Sequence, residues 1–163
     1  MARIYVASLA AYNNATLHGA WIDLDDCTDT DDIQTAVSAM LADDPHHGEE
    51  WAIHDHDGFE GITIDEHESF DNVLMHSQML ARPAWGPYVD LVGAHYATAE
   101  GFSDAYRGQY GSGADYAQEL AEDMGAVNDS DAWPHTCIDW EHAWRELSFD
   151  GYAFVNGYIF SGV

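Results

Sequence analysis

Histidine and aspartate alternate in the segment His54-Asp55-His56-Asp57, whose residue types favour metal chemistry more than any other part of the chain. Imidazole and carboxylate groups are common ligands of divalent metals. If residues 50–55 form a strand, His54 and His56 share one face of it while Asp55 points to the other. The sequence offers no cysteine cluster and no His-Glu-x-x-His helix to complete a ligand set. We therefore expect no metal and no cofactor, and we keep a halophilic metal-dependent hydrolase using His54 to Asp57 as the alternative function.

Residues for other kinds of catalysis are equally sparse. There is no Gly-x-Ser-x-Gly motif, and neither Cys27 nor Cys137 has an adjacent histidine, so nucleophilic catalysis lacks its usual partners. The two cysteines are expected to be small core residues. Gly111-Ser112-Gly113 lacks the lysine of a phosphate-binding loop. Because 30 acidic residues supply many carboxylate pairs, no glycosidase pair can be singled out, and we predict no catalytic residue.

The balance of charge is the strongest feature of the sequence. Its 163 residues include 30 Asp and Glu against four arginines and no lysine, which gives a formal net charge of −26. Since basic residues are so few, attraction to nucleic-acid phosphates or to an anionic membrane surface is excluded. Acidic disorder is also excluded, because 47% of the residues are apolar and can form a core. No apolar run has the length of a signal peptide or a membrane span, so the cytoplasm is the expected location.

The charge of the chain can be compared with that of DNA. At one phosphate per roughly 1.7 Å of duplex, 26 charges correspond to about 44 Å, close to the diameter of about 40 Å expected for a compact chain of this size. The acids are spread along the sequence and not confined to a tail. An excess of 20 Asp over 10 Glu with no lysine also fits proteins from high-salt habitats, where charge mainly manages hydration. The charge of the chain therefore fits either imitation of a DNA surface or adaptation to high salt, and the two interpretations are compatible.

The residues before position 65 predict a small α+β unit. A short run of β-branched and aromatic residues predicts a strand at Arg3–Leu9, and a second strand is expected beside it at Gly19–Leu24. The residues Tyr12–Asn14 predict a turn between them. From Thr30 to about Ala42 the apolar spacing is that of an amphipathic helix. A third strand is expected at 50–55, with a short companion strand at 61–64.

The remainder of the chain predicts mainly helices and a final hairpin. Apolar spacings within 65–103, interrupted by Pro83, Gly86 and Pro87, predict short helices packed together. Ser112 with Asp115 three residues later is typical of a helix start, and the helix should run to Gly125. Another helix is expected after Asp139. Asn156-Gly157 between two apolar runs predicts a tight β-hairpin.

Several strings in this order resemble the ArdA antirestriction proteins. They are Arg3-Ile4-Tyr5-Val6-Ala7-Ser8-Leu9, Leu17-His18-Gly19-Ala20-Trp21-Ile22-Asp23, Glu50-Trp51-Ala52-Ile53-His54-Asp55, the segment from Asp115 to Gly125, and Ile138-Asp139-Trp140-Glu141. The resemblance covers nearly the whole chain and is weakest over residues 72–103. It implies an elongated α+β protein of three small domains: an α/β sheet unit at 1–64, a short-helix bundle at 65–103, and an α/β unit ending in a hairpin at 104–163.

The resemblance also implies a function. ArdA proteins are non-enzymatic DNA mimics that occupy the DNA groove of type I restriction-modification enzymes, so the expected partner is the methyltransferase core of such an enzyme. The acids expected to imitate phosphates lie in the first two domains and on the helix after Ser112. They are Asp23, Asp25, Asp26, Asp29, Asp31, Asp32, Asp43, Asp44, Glu49, Asp57, Glu60, Asp65, Glu66, Glu68, Asp71, Asp115, Glu119, Glu122 and Asp123.

A homodimer is expected as well. In the ArdA family, the segment that corresponds to Ala126 to Trp140 is associated with self-association and antirestriction function. Its apolar members here are Val127, Trp133, Ile138 and Trp140, which equally suit plain core packing. Because a net charge of −26 opposes association, an interface needs a large apolar patch, and the acid-poor residues 151–163 provide a further candidate.

Overall fold

A computed structural model of the chain describes residues 1–127 and 132–163. These residues form seven α-helices and two antiparallel three-stranded sheets, which confirms the α+β class. The contacts between Cα atoms divide the chain into two compact units. The first unit contains residues 1–86 and 94–96, and the second contains residues 87–93 and 97–163. The three-domain division stays a prediction.

The first unit is built on a sheet of three strands, β1 (Arg3–Ser8), β2 (Gly19–Asp23) and β3 (Trp51–Asp57). Their order in space is β2-β1-β3, and both pairs are antiparallel. A β-bulge interrupts the β1–β3 register, because Tyr5 pairs with Asp55 but Val6 pairs with Ile53. The three strands confirm the strands predicted at Arg3–Leu9, Gly19–Leu24 and 50–55, although β3 continues to Asp57.

Two helices connect the strands of this sheet along the chain. The helix α1 (Leu9–Asn13) replaces part of the turn that we expected there, and the Ser8 hydroxyl caps it by accepting from the amide of Ala11 at 3.2 Å. The helix α2 (Thr30–Ala42) has the predicted bounds. It buries Ile33, Val37 and Met40, which lie on one face at helical spacing.

The predicted strand at 61–64 is wrong. Ile62 and Ile64 are buried, as the apolar composition suggested, but these residues form a turn and an irregular segment. The amide of Ile62 donates to the Phe59 carbonyl, and the amide of Ile64 donates to Nε2 of His56. These β-branched residues are therefore present because their side chains are buried, although the backbone does not pair as a strand.

Short helices follow, as predicted for residues 65–103: α3 (Phe70–Met79), α4 (Trp85–Val92) and α5 (Ala99–Ala105). The expected interruption at Gly86 and Pro87 is wrong, because both residues lie in the first turn of α4. Proline is tolerated there, since the first turn needs no amide donor. In the first unit the imidazole of His76 is buried and accepts from the indole N–H of Trp85 at 3.3 Å. Burial lowers the pKa of His76.

The second unit contains β4 (Tyr106–Gln109), α6 (Gly113–Asp123), α7 (Trp140–Phe149), β5 (Tyr152–Val155) and β6 (Tyr158–Ser161). The two helices and the β5–β6 hairpin confirm the predictions, whereas the strand β4 was not predicted. The strands lie in the order β4-β6-β5. The turn residues Asn156 and Gly157 have φ values of 52° and 87°, which the hairpin requires and glycine adopts readily.

Aromatic side chains dominate the core of the second unit. The ring of Phe102 stacks on Tyr106 at 5.3 Å and contacts Tyr88 at 5.6 Å, and Phe160 is fully buried beside them. The helices α6 and α7 meet at Gly113, where a Cβ atom would come within 2.2 Å of the Trp144 indole. The close approach of the two helices therefore depends on this glycine.

Neither cysteine is a core residue, contrary to expectation. Cys27 is half-buried, Cys137 is exposed, and both are free thiols. Burial and nearby carboxylates raise the pKa of Cys27.

None of the helices in residues 1–127 and 132–163 is long and apolar enough to cross a bilayer.

Candidate functional site

The histidine-aspartate segment in β3 is held by separate local contacts. The His54 ring lies 4.9 Å from Tyr12, edge to face, and the His56 ring lies 5.7 Å from Phe59. Asp57 accepts from Arg3, with 2.9 Å between Nη2 and Oδ2. Over the described part of the chain, no three His, Cys, Asp or Glu side chains are placed to hold a metal ion together.

Most of the acids predicted to imitate phosphates are exposed. The side chains that are open to solvent are those of Asp25, Asp26, Asp29, Asp31, Asp32, Asp43, Glu49, Asp57, Glu60, Asp65, Glu66, Asp71, Asp115, Glu119 and Asp123. Asp23 and Glu122 are half-buried. In the first unit, two further acids that were not predicted to bind a partner are also exposed, Glu50 and Asp55. Regular strand alternation would put Asp55 on the same face as the buried Ile53. The β-bulge instead pairs Asp55 with Tyr5 on the exposed face, and no signal in the sequence marks that bulge.

The start of α2 brings three of these acids together. Asp29 caps the helix, and its Oδ1 accepts from the amides of Asp31 and Asp32 at 3.0 and 3.2 Å. The carboxylate of Asp32 reaches back to the amide of Asp29, which completes a capping box, and accepts from Thr28 at 2.7 Å. Carboxylates at this end are also favoured by the helix dipole. The fold therefore stabilises this group of charges while leaving it exposed.

Asp44 departs from the prediction because it is buried, with 2% of its surface exposed. Its Oδ2 accepts from the Ser8 hydroxyl at 2.6 Å and from the Gly48 amide at 2.8 Å, and its Oδ1 accepts from the His46 amide at 2.9 Å. The Ser8 hydrogen bond, with the two amides, lowers the pKa of Asp44 to about 2. This carboxylate fixes the loop after α2 and cannot present its charge to a partner.

Glu68 is the second predicted acid that the structure buries, at 8% exposure. Its Oε1 accepts from the amide of Ser69 at 3.1 Å and from the side-chain amide of Asn72 at 3.0 Å. These partners lie at the start of α3, so Glu68 ties the preceding loop to that helix. The sequence shows an ordinary acidic residue here, because the partner Asn72 is recognisable only once the helix has formed.

The helix α6 carries the acids of the second unit. The Ser112 hydroxyl caps it by accepting from the Asp115 amide at 3.1 Å. Asp115, Glu119 and Asp123 are exposed at successive steps of four residues. The Tyr110 hydroxyl donates to Glu119 at 2.9 Å, and burial together with this carboxylate raises the pKa of Tyr110.

Glu122 differs from its neighbours on α6 because it is partly buried and paired. Its Oε1 accepts from the Gln118 side chain at 2.9 Å and lies 3.1 Å from Nε2 of His135. These two hydrogen bonds lower the pKa of Glu122, with Gln118 making the larger contribution. Glu122 therefore connects α6 to the segment around His135.

The predicted interface residues differ in exposure. Trp133 is 81% exposed, whereas Val127, Ile138 and Trp140 are half-buried. The Trp140 ring lies 5.7 Å from His135. Residues 128–131 of the predicted segment lie outside the described residues.

The chain matches a known protein family. The family model described as "Antirestriction protein (ArdA)" matches residues 4–160, which is nearly the whole chain. A comparison with curated proteins produced no significant match.

Proposed function

Since the chain belongs to the ArdA family, whose members are non-enzymatic DNA mimics that inhibit type I restriction-modification enzymes, we propose that it occupies the DNA groove of the methyltransferase core of such an enzyme. The exposed acids of the first unit and of α6 take the places of DNA phosphates. We place this action in the cytoplasm, where those enzymes meet incoming DNA.

The observation that supports this proposal is the exposure of charge that the chain itself cannot neutralise. Residues 1–86 hold 17 acids against Arg3 and Arg82, and all of these acids except Asp23, Asp44 and Glu68 are exposed. One-signed surfaces of this kind cost stability through repulsion. A basic groove that normally binds phosphates offers the compensating charge.

Displacement of DNA tests the proposal directly. A type I methyltransferase bound to labelled DNA is titrated with the protein at low salt, and loss of the DNA complex is followed by fluorescence anisotropy. We expect full displacement at a stoichiometric excess. Failure to displace DNA at saturating concentration would contradict mimicry.

A pair of matched variants separates the predicted surface from total charge. In the first, six exposed acids become amides: Asp25, Asp26, Asp31, Asp43, Glu49 and Asp65. In the second, six exposed acids outside the predicted set become amides: Asp90, Glu100, Asp104, Glu141, Glu146 and Asp150. Both variants lose six charges, but only the first should weaken displacement strongly, by tenfold or more. Equal losses would show that net charge alone matters.

The metal-dependent hydrolase is set aside, because the family to which the chain belongs is not enzymatic. The high-salt interpretation of the acid excess is compatible with mimicry. It concerns the solvent in which the protein works and not its partner.

We further propose that the protein acts as a homodimer joined through its C-terminal third. Large apolar side chains are exposed there, with Trp133 at 81%, Phe149 at 78% and Phe154 at 37%. Aromatic side chains suit the centre of an interface, and burying them offsets charge repulsion. Both Trp133 and the half-buried Trp140 belong to the predicted segment.

Sedimentation at moderate salt tests the dimer. We expect the wild type to be dimeric at micromolar concentration, and Trp133→Glu and Trp140→Glu to be monomeric. Tyr96→Glu, at a residue 76% exposed in the first unit, is the matched control and should remain dimeric. A monomeric wild type, or a folded dimer of both tryptophan variants, would show that the interface is wrong.

A further inference from the structure

Six side chains form two rows on the solvent-facing side of the first sheet. The strand register places Arg3 between Asp23 and Asp57, and in the next row it places Tyr5 between Trp21 and Asp55. Directly paired residues of antiparallel strands point to the same face. The opposite face carries Ile4 and Ile22, which are buried. One face of this sheet therefore supports the core, and the other presents two aromatic rings among three carboxylates.

The two aromatic rings lie side by side and are tilted relative to each other. The centroids of Tyr5 and Trp21 are 5.4 Å apart with an interplanar angle of 52°, and Trp21 is 43% exposed. The Tyr5 ring lies over Gly19, where a Cβ atom would come within 2.7 Å of its Cζ and Oη atoms. A glycine at this position thus allows the tyrosine to lie against the sheet beside the indole.

Arg3 shows which chemistry this surface accepts. Its guanidinium carbon lies 4.6 Å from the Trp21 ring centroid, in cation–π geometry. Its Nη2 and Nε donate to Oδ2 of Asp57 at 2.9 and 3.2 Å. The remaining carboxylates in the two rows, Asp23 and Asp55, leave this face with three acids against one cation. The face therefore holds a guanidinium already and retains excess negative charge.

We propose that this aromatic face, formed by Tyr5, Trp21, Asp23, Asp55 and Asp57, binds an arginine side chain from the DNA groove of the target enzyme. The inference rests on the proposed function, because it takes the partner to be a groove that contacts phosphates through arginine and lysine. A planar guanidinium stacks on an aromatic ring and donates along its edge to carboxylates, whereas an ammonium group cannot stack in this way. The face thus selects arginine over lysine.

Exchange with Arg3 is physically reasonable. The Arg3–Asp57 pair is exposed, with side-chain exposures of 44% and 61%, and such pairs contribute little to stability. An incoming guanidinium replaces the same cation–π contact and the same carboxylate hydrogen bonds. Stacking is also less sensitive to salt than attraction between separated charges. The aromatic face therefore adds affinity that persists when phosphate-like contacts are screened.

Binding of two short peptides of equal charge tests the selection. Hexa-arginine and hexa-lysine are titrated separately into the full-length protein at about 150 mM salt, and the indole N–H signal of Trp21 is followed by NMR, assigned from its loss in Trp21→Phe. We expect hexa-arginine to shift this signal and to bind at least fivefold more tightly than hexa-lysine. Equal affinities would overturn the proposal.

Variants give expected changes of opposite sign in the ratio of the two affinities. Trp21→Ala should reduce the arginine preference to less than twofold, and Trp21→Phe should keep most of it. Arg3→Gln removes the resident guanidinium and should increase the preference. Tyr96→Ala, which truncates an exposed ring away from this face, should leave it unchanged. A preference that survives in Trp21→Ala, with folding confirmed by circular dichroism, would contradict the proposal.

The DNA displacement assay keeps this inference separate from the proposed function. We expect Trp21→Ala to require about tenfold more protein than the wild type, with the difference persisting at higher salt. If the wild type displaces DNA and Trp21→Ala does so equally well, the aromatic face is not the arginine site although mimicry stands. If the wild type fails to displace DNA, the proposed function fails on its own. Loss of the dimer in Trp21→Ala would show instead that a second copy covers this face.

Discussion

The helices α2 and α6 both expose carboxylates, but the two sets of charges are distributed differently along the helix dipole. In α2 the acids lie in the first turn and its cap, where Asp29 and Asp32 accept from free amides. In α6 they continue to Glu122 and Asp123 in the last turn, at the negative end of the helix dipole. No lysine or arginine lies within α6 to offset them. Asp29 and Asp32 thus stabilise α2, whereas Glu119 and Asp123, which lie beyond the first turn of α6 at a spacing of four residues, repel each other.

This difference separates two uses of acidic residues in one protein. At the start of α2 the carboxylates of Asp29 and Asp32 accept hydrogen bonds, and the buried Asp44 just beyond the helix is the extreme case. Glu119 and Asp123 are exposed beyond the first turn of α6, where the helix dipole does not favour negative charge, so we expect their role to lie at the surface. Exchanging acids for amides should therefore change stability in opposite directions in the two regions.

The largest expected effect is at Asp44. In Asp44→Asn the amide nitrogen competes with the oxygens that accept from Ser8, His46 and Gly48, so buried donors lose their partner. We expect this variant to lose more stability at pH 7 than any other variant proposed for the two helical regions, measured by urea denaturation. Ser8→Ala, which removes one of the three donors, should lose less. Unchanged stability of Asp44→Asn would show that the loop does not depend on the carboxylate.

The contribution of Asp44 should also appear in the pH dependence of the free energy of unfolding. The pKa of Asp44 falls to about 2 in the folded protein, so the native state keeps this carboxylate ionised more readily than the unfolded chain does. Its contribution is present above the ordinary Asp pKa of about 3.9 and is lost as the pH falls towards 2. Between pH 4 and 2 the wild type should lose stability more steeply than Asp44→Asn. Parallel curves would contradict the assignment.

The second effect concerns the cap of α2. Asp29→Ala removes the acceptor for the amides of Asp31 and Asp32, and loss of such a cap costs about 0.5–2 kcal/mol. Thermal and urea unfolding should both show this loss. Asp31→Ala provides the control, because it removes an acid from the same turn without removing the cap. A loss as large in the control would mean that charge, and not capping, stabilises this end.

Local signals explain which parts of the fold were predictable from the sequence. The bounds of α2 follow from a cap and a helical apolar spacing within 13 residues, and the final hairpin follows from Asn156-Gly157. The strand β4 was not predictable, because Tyr106–Gln109 is short, contains a glycine and pairs with β6, about 50 residues away in sequence. The segment 61–64 shows the opposite error, since burial can demand β-branched residues without strand pairing.

The candidate site was predictable as a composition but not residue by residue. An exposed Asp and the buried Asp44 are indistinguishable in sequence, because the Ser8 hydroxyl that binds Asp44 comes from a strand 36 positions earlier. The pairing of Arg3 with Asp57 likewise joins residues 54 positions apart. Long-range pairing of this kind decides which acids remain free for a partner.

A smaller effect of opposite sign is expected in α6. Glu119→Gln with Asp123→Asn removes like-charge pairs at three- and four-residue spacing, each costing about 0.2–0.5 kcal/mol. The glutamine oxygen can still accept from Tyr110. The double variant should therefore be more stable than the wild type by up to about 1 kcal/mol, while inhibiting its target less well. A destabilised variant would remove the contrast between α2 and α6.

The smallest effect is expected for one exposed acid that the fold does not use as a cap. Asp25→Asn removes one of many solvent-screened charges, and contacts of this type contribute little individually. Inhibition should change by less than about twofold, and the free energy of unfolding should stay within about 0.5 kcal/mol of the wild type, as for most surface substitutions. DNA displacement and urea denaturation of the same preparation measure both. If this one substitution abolished inhibition in a folded protein, the partner would recognise a discrete site, and the distributed surface proposed for the first unit would be wrong.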